Sequence, residues 1–176
     1  MKTETLNKLI KNKELLEKFI SKYQRDKYLF KETPDKNEIK GHLEKAEHNL
    51  RFITDNLKLK YLDWCITGCY YAVYHASLSL IGLKGWHSKH HNATLCILIK
   101  EYLNKEIEQK EIELINRFFL TYNDLLFYTE SKTKRNLATY STKTAFDEKS
   151  VKDLISQSRN FVNKAREITK SSKENS

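Results

Sequence analysis

One segment near the middle of the chain is apolar on almost every side. Between Tyr61 and Ile81 the sequence carries aliphatic, aromatic and small side chains with few polar ones. A helix that is apolar all round is expected at the centre of a protein, with other helices around it. Asp63, Thr67 and His75 interrupt the run, so it falls short of the roughly 18 to 20 apolar residues that cross a membrane. The sequence therefore predicts a buried central helix and no membrane span.

The composition favours helix in the rest of the chain as well. Among 176 residues there are one proline and four glycines, so turn and hairpin signals are few. Lys, Glu, Leu and Ile, which are common here, suit or tolerate the helix. A chain of this length can bury a real core but is too short for two ordinary domains. We therefore predict one all-α unit.

Apolar residues at helical spacing mark the other helices. The first is predicted from Glu4 to about Tyr23. Pro34 then breaks the pattern, because proline disfavours helix in the residue before it and suits the first turn of a new helix. The further helices are predicted over residues 37–56, 61–81, 89–103, 110–129 and 150–168.

The three cysteines point to reduced thiols. Cys65, Cys69 and Cys96 lie in apolar helical contexts, and no apolar signal segment precedes them at the N-terminus. We expect a cytoplasmic protein with free cysteines. Zinc held by these cysteines and nearby histidines is the alternative, but zinc motifs have tighter spacings and free cysteine is commonly a core residue. No metal and no cofactor are predicted.

The chain is basic, with 32 Lys and Arg against 23 Asp and Glu and a formal charge of +9. Such a charge suggests a polyanion as partner, although a solvated lysine-rich surface gives the same total. The location of the charge is more informative. Residues 131–143 carry Lys132, Lys134, Arg135 and Lys143 without an acidic residue.

His75 lies inside the apolar helix and admits two interpretations. It shares one helical face with Trp64, Tyr71 and Leu78. A buried imidazole needs a hydrogen-bond partner, and Tyr71, four residues earlier, is within reach. Histidine is also the side chain best suited to proton transfer near neutral pH. The sequence leaves a structural and a catalytic role open.

A second group of histidines follows at the start of the next helix. His87, His90 and His91 stand close to Lys89 in the segment GWHSKHHNAT. The first amide groups of a helix lack partners within the helix and attract anions. This segment is therefore a candidate phosphate-binding site.

Arg135 and Tyr140 form the remaining candidate pair. The chain has no glycine-rich phosphate loop, no GxSxG and no HExxH, so most standard hydrolase and kinase chemistries lack their parts. Arginine suits a phosphate because its guanidinium donates two parallel hydrogen bonds. The alternative is that Arg135 pairs with Glu130 or a helix end, while the Tyr140 ring packs against the protein.

Several of these pieces together resemble the HEPN superfamily of small helical bundles. They are YYAVYHA at residues 70–76, HH at the next helix start, RNLATY at residues 135–140, and FVNKA in the last helix. The chain is similar to a branch of short HEPN proteins with an AYYAxFHA-like central helix and an arginine followed by Ala-Asp-Tyr. The resemblance covers roughly residues 38–168.

The resemblance implies an up-down bundle of four to five antiparallel helices, often a homodimer with polar residues in the dimer groove. On this basis we divide the chain into an N-terminal helical arm (1–35), a HEPN-like bundle (36–170) and a frayed tail (171–176). Many family members are RNA-cleaving toxins paired with a small nucleotidyltransferase antitoxin, and they use an arginine followed four to six residues later by histidine. Arg135 matches that arginine, whereas Tyr140 stands in place of the histidine and Thr139 in place of the Asp.

This departure limits the catalytic prediction. A phenol with a reference pKa of about 10 is poorly matched to proton transfer near neutral pH, so cleavage needs His75 or His91. We predict a protein that binds RNA or a nucleotide. Its predicted role is that of the ribonuclease-type toxin in a toxin-antitoxin or defence pair. If it is an enzyme, we predict a metal-independent endoribonuclease. A non-catalytic interaction module and a nucleotide-binding sensor are the alternatives. The predicted catalytic residues are Arg135 and His75, and the predicted binding residues are Tyr71, His87, Lys89, His90, His91, Lys134 and Tyr140.

Overall fold

The computed structural model describes residues 1–120 and 147–174, and helices account for nearly all the regular structure in them. The all-α prediction is confirmed. The elements in chain order are α1 (Thr3–Lys11), α2 (Lys13–Arg25), β1 (Leu29–Lys31), α3 (Lys36–Lys58), α4 (Leu62–Leu83), β2 (Trp86–Ser88), α5 (His91–Tyr102), α6 (residues 109–120) and α7 (Glu148–Glu174).

Four of these helices form an up-down bundle. Both α4 and α7 run antiparallel to α3, and α6 runs antiparallel to α7. In each pair, the earlier residues of one helix contact the later residues of the other. The side chains or carbonyls in contact are Ser79 with Ile39 and Cys65 with Ile53 between α4 and α3, Arg166 with Glu47 and Arg159 with Thr54 between α7 and α3, and Lys164 with Glu111 and Arg117 with Gln157 between α7 and α6.

Helix α4 occupies the centre, as its all-round apolar sequence predicts. Thirteen of its 22 residues are buried. It packs tightly on α3 at Gly68, where a Cβ atom would stand 2.6 Å from Ile53 Cγ1. A larger residue at this position would collide with the Ile53 side chain unless that side chain moved. Within residues 1–120 and 147–174, no helix is both long enough and apolar enough to cross a membrane.

The N-terminal region consists of two helices instead of the single helix predicted from Glu4 to Tyr23. Asn12 has an extended backbone, and its side chain accepts a hydrogen bond of 2.9 Å from the Leu15 amide. Asparagine favours such a helix start, because its side-chain oxygen satisfies an amide that the helix leaves unpaired. The buried leucine and isoleucine side chains of both helices belong to the same core as α4 and α5; they are Leu6, Leu9, Leu16 and Ile20.

A short two-stranded antiparallel sheet, which the sequence did not predict, ties this region to the bundle. Strand β1 pairs with β2 so that Phe30 lies opposite His87. The ladder continues to Gly85, whose carbonyl accepts from the Glu32 amide at 2.8 Å. Gly85 has a φ of 73°, and a Cβ there would lie 2.3 Å from the Glu32 carbonyl oxygen. Strands of three residues are too short to leave an alternating pattern in the sequence.

The last helix is also longer than predicted. Its regular pattern of apolar residues ends near Ile168, but α7 continues to Glu174. The additional turns carry mostly polar side chains, which give no periodic signal although they tolerate the helix. The division into an arm, a bundle and a tail remains a prediction.

The close contact at Gly68 gives a direct test of the packing. Gly68→Ala should lower the free energy of unfolding by about 1 to 3 kcal/mol, because the added methyl group overpacks the contact with Ile53. Gly41→Ala is the matched control, since a Cβ added at this position of α3 would meet no neighbouring atom within 4 Å. It should raise stability by up to about 1 kcal/mol. Urea unfolding of both variants measures the difference, and equal stability would contradict the close approach.

Candidate functional site

The predicted site residues are only partly described. Lys134, Arg135 and Tyr140 lie outside the residues that the structure describes. The others, namely Tyr71, His75, His87, Lys89, His90 and His91, lie on α4, on β2 and at the start of α5.

His75 has a partner that the sequence did not reveal. Its Nδ1 atom lies 3.1 Å from Nδ1 of His42 on α3, and the two rings stack with centroids 5.3 Å apart. Only 9% of His75 is exposed. The antiparallel packing of α3 on α4 brings the two residues together, although 33 positions separate them in the chain.

A carboxylate joins this pair to a third histidine. Glu38 Oε1 lies 3.6 Å from His42 Nε2 and 3.3 Å from His87 Nδ1. We call Glu38, His42, His75 and His87 the His–Glu network. The sequence alone singled out His75 and His87 but not Glu38 and His42. Their separation of four residues near the start of α3 was the one available signal, since it places both side chains on one helical face.

Burial controls the protonation of the paired histidines. Desolvation, assisted by the nearby His42 and Lys45, lowers the pKa of His75 to about 4. The pKa of His42 is lowered too, mainly by burial, although Glu38 opposes the shift. Both imidazoles are therefore neutral near pH 7. A neutral imidazole accepts a proton, but one with so low a pKa is a weak base and is not available as an acid.

A pocket of about 230 Å³ lies beside the network and is lined in part by residues of β1 and β2. Glu38, His42 and His87 line it together with Phe30 and Lys89. Phe30 stacks on His87 at a centroid distance of 5.3 Å, and Lys89 Nζ lies 5.5 Å from the centre of the Phe30 ring. The Nε2 atom of His87 is buried and has no hydrogen-bond partner within the described part of the chain.

The other two histidines of the predicted phosphate site have different surroundings. His90 caps α5, with its Nδ1 atom accepting from the Asn92 amide at 3.2 Å, and its ring stacks on Tyr23. His91 Nε2 lies 2.5 Å from the Tyr70 hydroxyl, and its ring packs 5.0 Å from that of Tyr74. Burial lowers the pKa of both histidines. The structure thus gives His87, His90 and His91 three separate sets of contacts.

Exposed aromatic side chains lie on the α3–α4 surface, and of these Tyr71 is the one whose ring contacts His75 among the described residues. Phe52 is 38% exposed, Trp64 53%, Tyr71 37% and Tyr61 54%; we call these four residues the aromatic face. The Phe52 and Trp64 rings meet edge to face at 6.5 Å. Within α4, Tyr71 follows Trp64 by seven residues and precedes His75 by four, so all three share one side of the helix.

Basic side chains accompany the aromatic face. Lys45, His48 and Arg51 are exposed on α3, at positions that lead up to Phe52. Lys45 and His48 precede Phe52 by seven and four residues, so they share its side of the helix. Aromatic rings and basic side chains therefore occupy one surface.

The cysteines are core residues. Cys65, Cys69 and Cys96 are free and buried. Burial raises the pKa of Cys69 and Cys96 to about 12, so neither is a thiolate near neutral pH. In residues 1–120 and 147–174, no group of three or more His, Cys, Asp or Glu side chains is arranged to hold a metal ion.

The buried histidine pair should make stability depend on pH. Because the pKa of His75 falls from 6.5 to about 4 on folding, the unfolded chain binds protons between these pH values that the folded protein does not. The free energy of unfolding should therefore decrease as the pH falls from 6.5 towards 4. In His75→Gln, the decrease in the free energy of unfolding over this pH range should be smaller than in wild type. The difference should be on the order of 2 kcal/mol for a pKa shift of this size.

Urea unfolding at pH 7 and pH 4.5 measures this effect. His48→Gln is the matched control, since His48 is an exposed histidine on α3. The control should follow the wild type at both pH values. A stability difference between wild type and His75→Gln that is the same at both pH values would contradict the lowered pKa.

Comparison with known proteins identifies the family. The HEPN domain model matches residues 39–168, about three quarters of the chain. No curated protein sequence matches the chain significantly. The matched region contains His42, His75 and His87, whereas Phe30 and Glu38 precede it. The resemblance to the superfamily is confirmed, and the particular branch remains a prediction. The matched region, with the helical bundle it forms, shows that this chain belongs to the HEPN family.

Proposed function

We propose that this HEPN-family protein binds single-stranded RNA on the surface formed by α3 and α4. The observation that supports this most directly is the aromatic face, in which Trp64 and Tyr61 are each more than half exposed. Proteins bind single strands by stacking bases on aromatic rings, which works for every base because each has a π face. Four exposed rings on one surface offer such a platform.

The charge of the same surface supports a polyanion in preference to a neutral ligand. Lys45, His48 and Arg51 accompany the rings along α3. Asp55, the nearest exposed acid on this helix, forms an ion pair of 3.3 Å with Lys58. The formal charge of the whole chain is +9. Phosphates bound here would release counterions, so the affinity would depend on salt.

The proposal extends to cleavage of the bound RNA without a metal ion. In this reaction a 2′-hydroxyl loses its proton to a base and its oxygen bonds to the adjacent phosphorus. The bond from phosphorus to the 5′-oxygen breaks, and that oxygen takes a proton from water. The products are a 2′,3′-cyclic phosphate and a 5′-hydroxyl. Neutral His75 is the proposed proton acceptor. The Arg135 guanidinium is proposed to donate hydrogen bonds to the phosphorane oxygens on which negative charge develops.

The lowered pKa of His75 sets the expected rate. A base with a pKa of about 4 is always deprotonated near pH 7, but it gains little driving force from accepting a proton. We therefore expect slow cleavage. The family resemblance supplies the remaining part of the proposal, in which the protein forms a homodimer and is the toxin of a pair with a small nucleotidyltransferase.

The non-catalytic alternatives fit part of the same observations. Leu59 is 64% exposed next to Tyr61, and apolar side chains at such a surface also suit a protein partner. A docking module would bind that partner with weak salt dependence and would not bind RNA. A nucleotide sensor would bind mononucleotides saturably, lose this binding in Arg135→Ala, and leave RNA intact.

The binding part of the proposal predicts which substitutions matter. Trp64→Ala should weaken the binding of a fluorescent uridine-rich oligonucleotide by roughly 1 to 3 kcal/mol, through the loss of one stacked base. Tyr28→Ala is the matched control, because Tyr28 is 45% exposed but lies near β1 and contacts His90 instead. Lys45→Gln should reduce the slope of log K against log salt by about 0.7. Equal affinities of the Trp64 and Tyr28 variants would overturn the proposed surface.

Cleavage is tested separately, with an end-labelled RNA and identification of the product ends. The wild type should yield a 2′,3′-cyclic phosphate, and Arg135→Ala or His75→Ala should lose this product while retaining RNA binding. Lys8→Gln on α1 serves as the control that keeps cleavage. Intact RNA after incubation with wild type, or cleavage that persists in both variants, would eliminate the ribonuclease part and leave a binding protein.

A further inference from the structure

Glu38 stands where the N-terminal region meets the bundle. It lies in the first turn of α3 and approaches two imidazoles, with His87 Nδ1 at 3.3 Å and His42 Nε2 at 3.6 Å. Both are electrostatic contacts at ion-pair distance. Glu38 itself is about half exposed, with 46% of its side chain accessible.

An ionised carboxylate accepts hydrogen bonds and cannot donate them. The imidazole nitrogens that face Glu38 are therefore favoured in their protonated form. For neutral His42 this places the proton on Nε2 and leaves a lone pair on Nδ1, because a neutral ring carries only one N–H. For His87 it places the proton on Nδ1 and leaves Nε2 as the buried atom that has no partner among the described residues.

The effect passes through His42 to His75. Their Nδ1 atoms lie 3.1 Å apart, so one of them must donate and the other accept. With the lone pair on Nδ1 of His42, the donor is Nδ1–H of His75. The remaining nitrogen of His75, Nε2, then has no proton and is the atom able to accept one.

We propose that Glu38 is a positioning residue that fixes the tautomer of His75 through His42, with Nδ1 of His75 protonated and Nε2 free to accept a proton. Glu38 precedes the matched HEPN region by one residue. Sequence outside that region thus orients a group inside it. The inference about the tautomer rests on these contacts together with a neutral His42, whose pKa burial lowers, whereas its consequence for cleavage rests on the proposed function.

Other charged groups near the network do not compete for this role. Lys45 acts on both His42 and His75, but a cation disfavours added protons on them and does not select between the two nitrogens of a neutral ring. Asp35, which lines the same pocket, uses its carboxylate to accept from the Asn37 and Glu38 amides at the start of α3. Among the described residues, Glu38 is the one whose carboxylate lies within ion-pair distance of His42 and His87.

The test is nitrogen-15 NMR of the histidine side chains at pH 7, because protonated and unprotonated ring nitrogens resonate far apart. In wild type, His75 should show a protonated Nδ1 and an unprotonated Nε2, and His42 the reverse. His42→Gln and His75→Gln assign the signals. In Glu38→Gln the amide can donate as well as accept, so the His75 signals should shift towards a mixture of the two tautomers.

Glu44→Gln is the matched control, since Glu44 is an exposed acid on the same helix that pairs with Lys40. It should leave the His75 signals unchanged, and circular dichroism should show the same helix content in both variants. A wild-type His75 with its proton on Nε2, or a Glu38→Gln spectrum identical to wild type, would overturn the proposal.

The activity measurement adds a second, separate result. If the protein cleaves RNA, Glu38→Gln should lower kcat more than it changes KM, because the substitution disturbs the base and leaves the aromatic face intact. If the protein does not cleave RNA, the NMR measurement of the His75 tautomer still tests the inference. A failure of the proposed function and a failure of this inference are therefore distinguishable.

Discussion

The close packing of α4 against α3 is the constraint on which the rest of the molecule depends. Gly68 lets the two helices approach until a Cβ atom would collide with Ile53. This approach fixes the register of the antiparallel pair and brings His42 opposite His75. It also leaves Phe52 and Trp64 side by side at the surface. The buried histidine pair and the exposed aromatic rings are thus two results of one helix contact.

The N-terminal region completes the site that this contact begins. Its first two helices pack into the common core, and its strand β1 holds β2 in place. The β1–β2 pairing sets His87 against Glu38 and stacks Phe30 on the imidazole. A region outside the family match therefore supplies a carboxylate and an aromatic ring to residues inside it.

Much of the fold was predictable, because a buried central helix and amphipathic neighbours leave a strong periodic signal. The break at Asn12 was not, since a single capping side chain decides it against an otherwise continuous pattern. The strands were too short to be seen. His75 and His87 could be selected as candidates from their types and positions, but their partners could not. Glu38 and His42 become recognisable only when α3 is laid on α4, a contact that no local pattern encodes.

The most direct test of RNA binding on the aromatic face is photo-crosslinking of a single-stranded RNA that contains 4-thiouridine, followed by mass spectrometry of the modified peptides. We expect crosslinks to Phe52, Trp64 or Tyr71, which lose intensity at high salt because phosphate contacts weaken. Crosslinks confined to the lysine-rich surface of α1 and α2 would contradict the proposed site. So would an equal yield at low and high salt, since binding would then not depend on the basic residues beside the aromatic face.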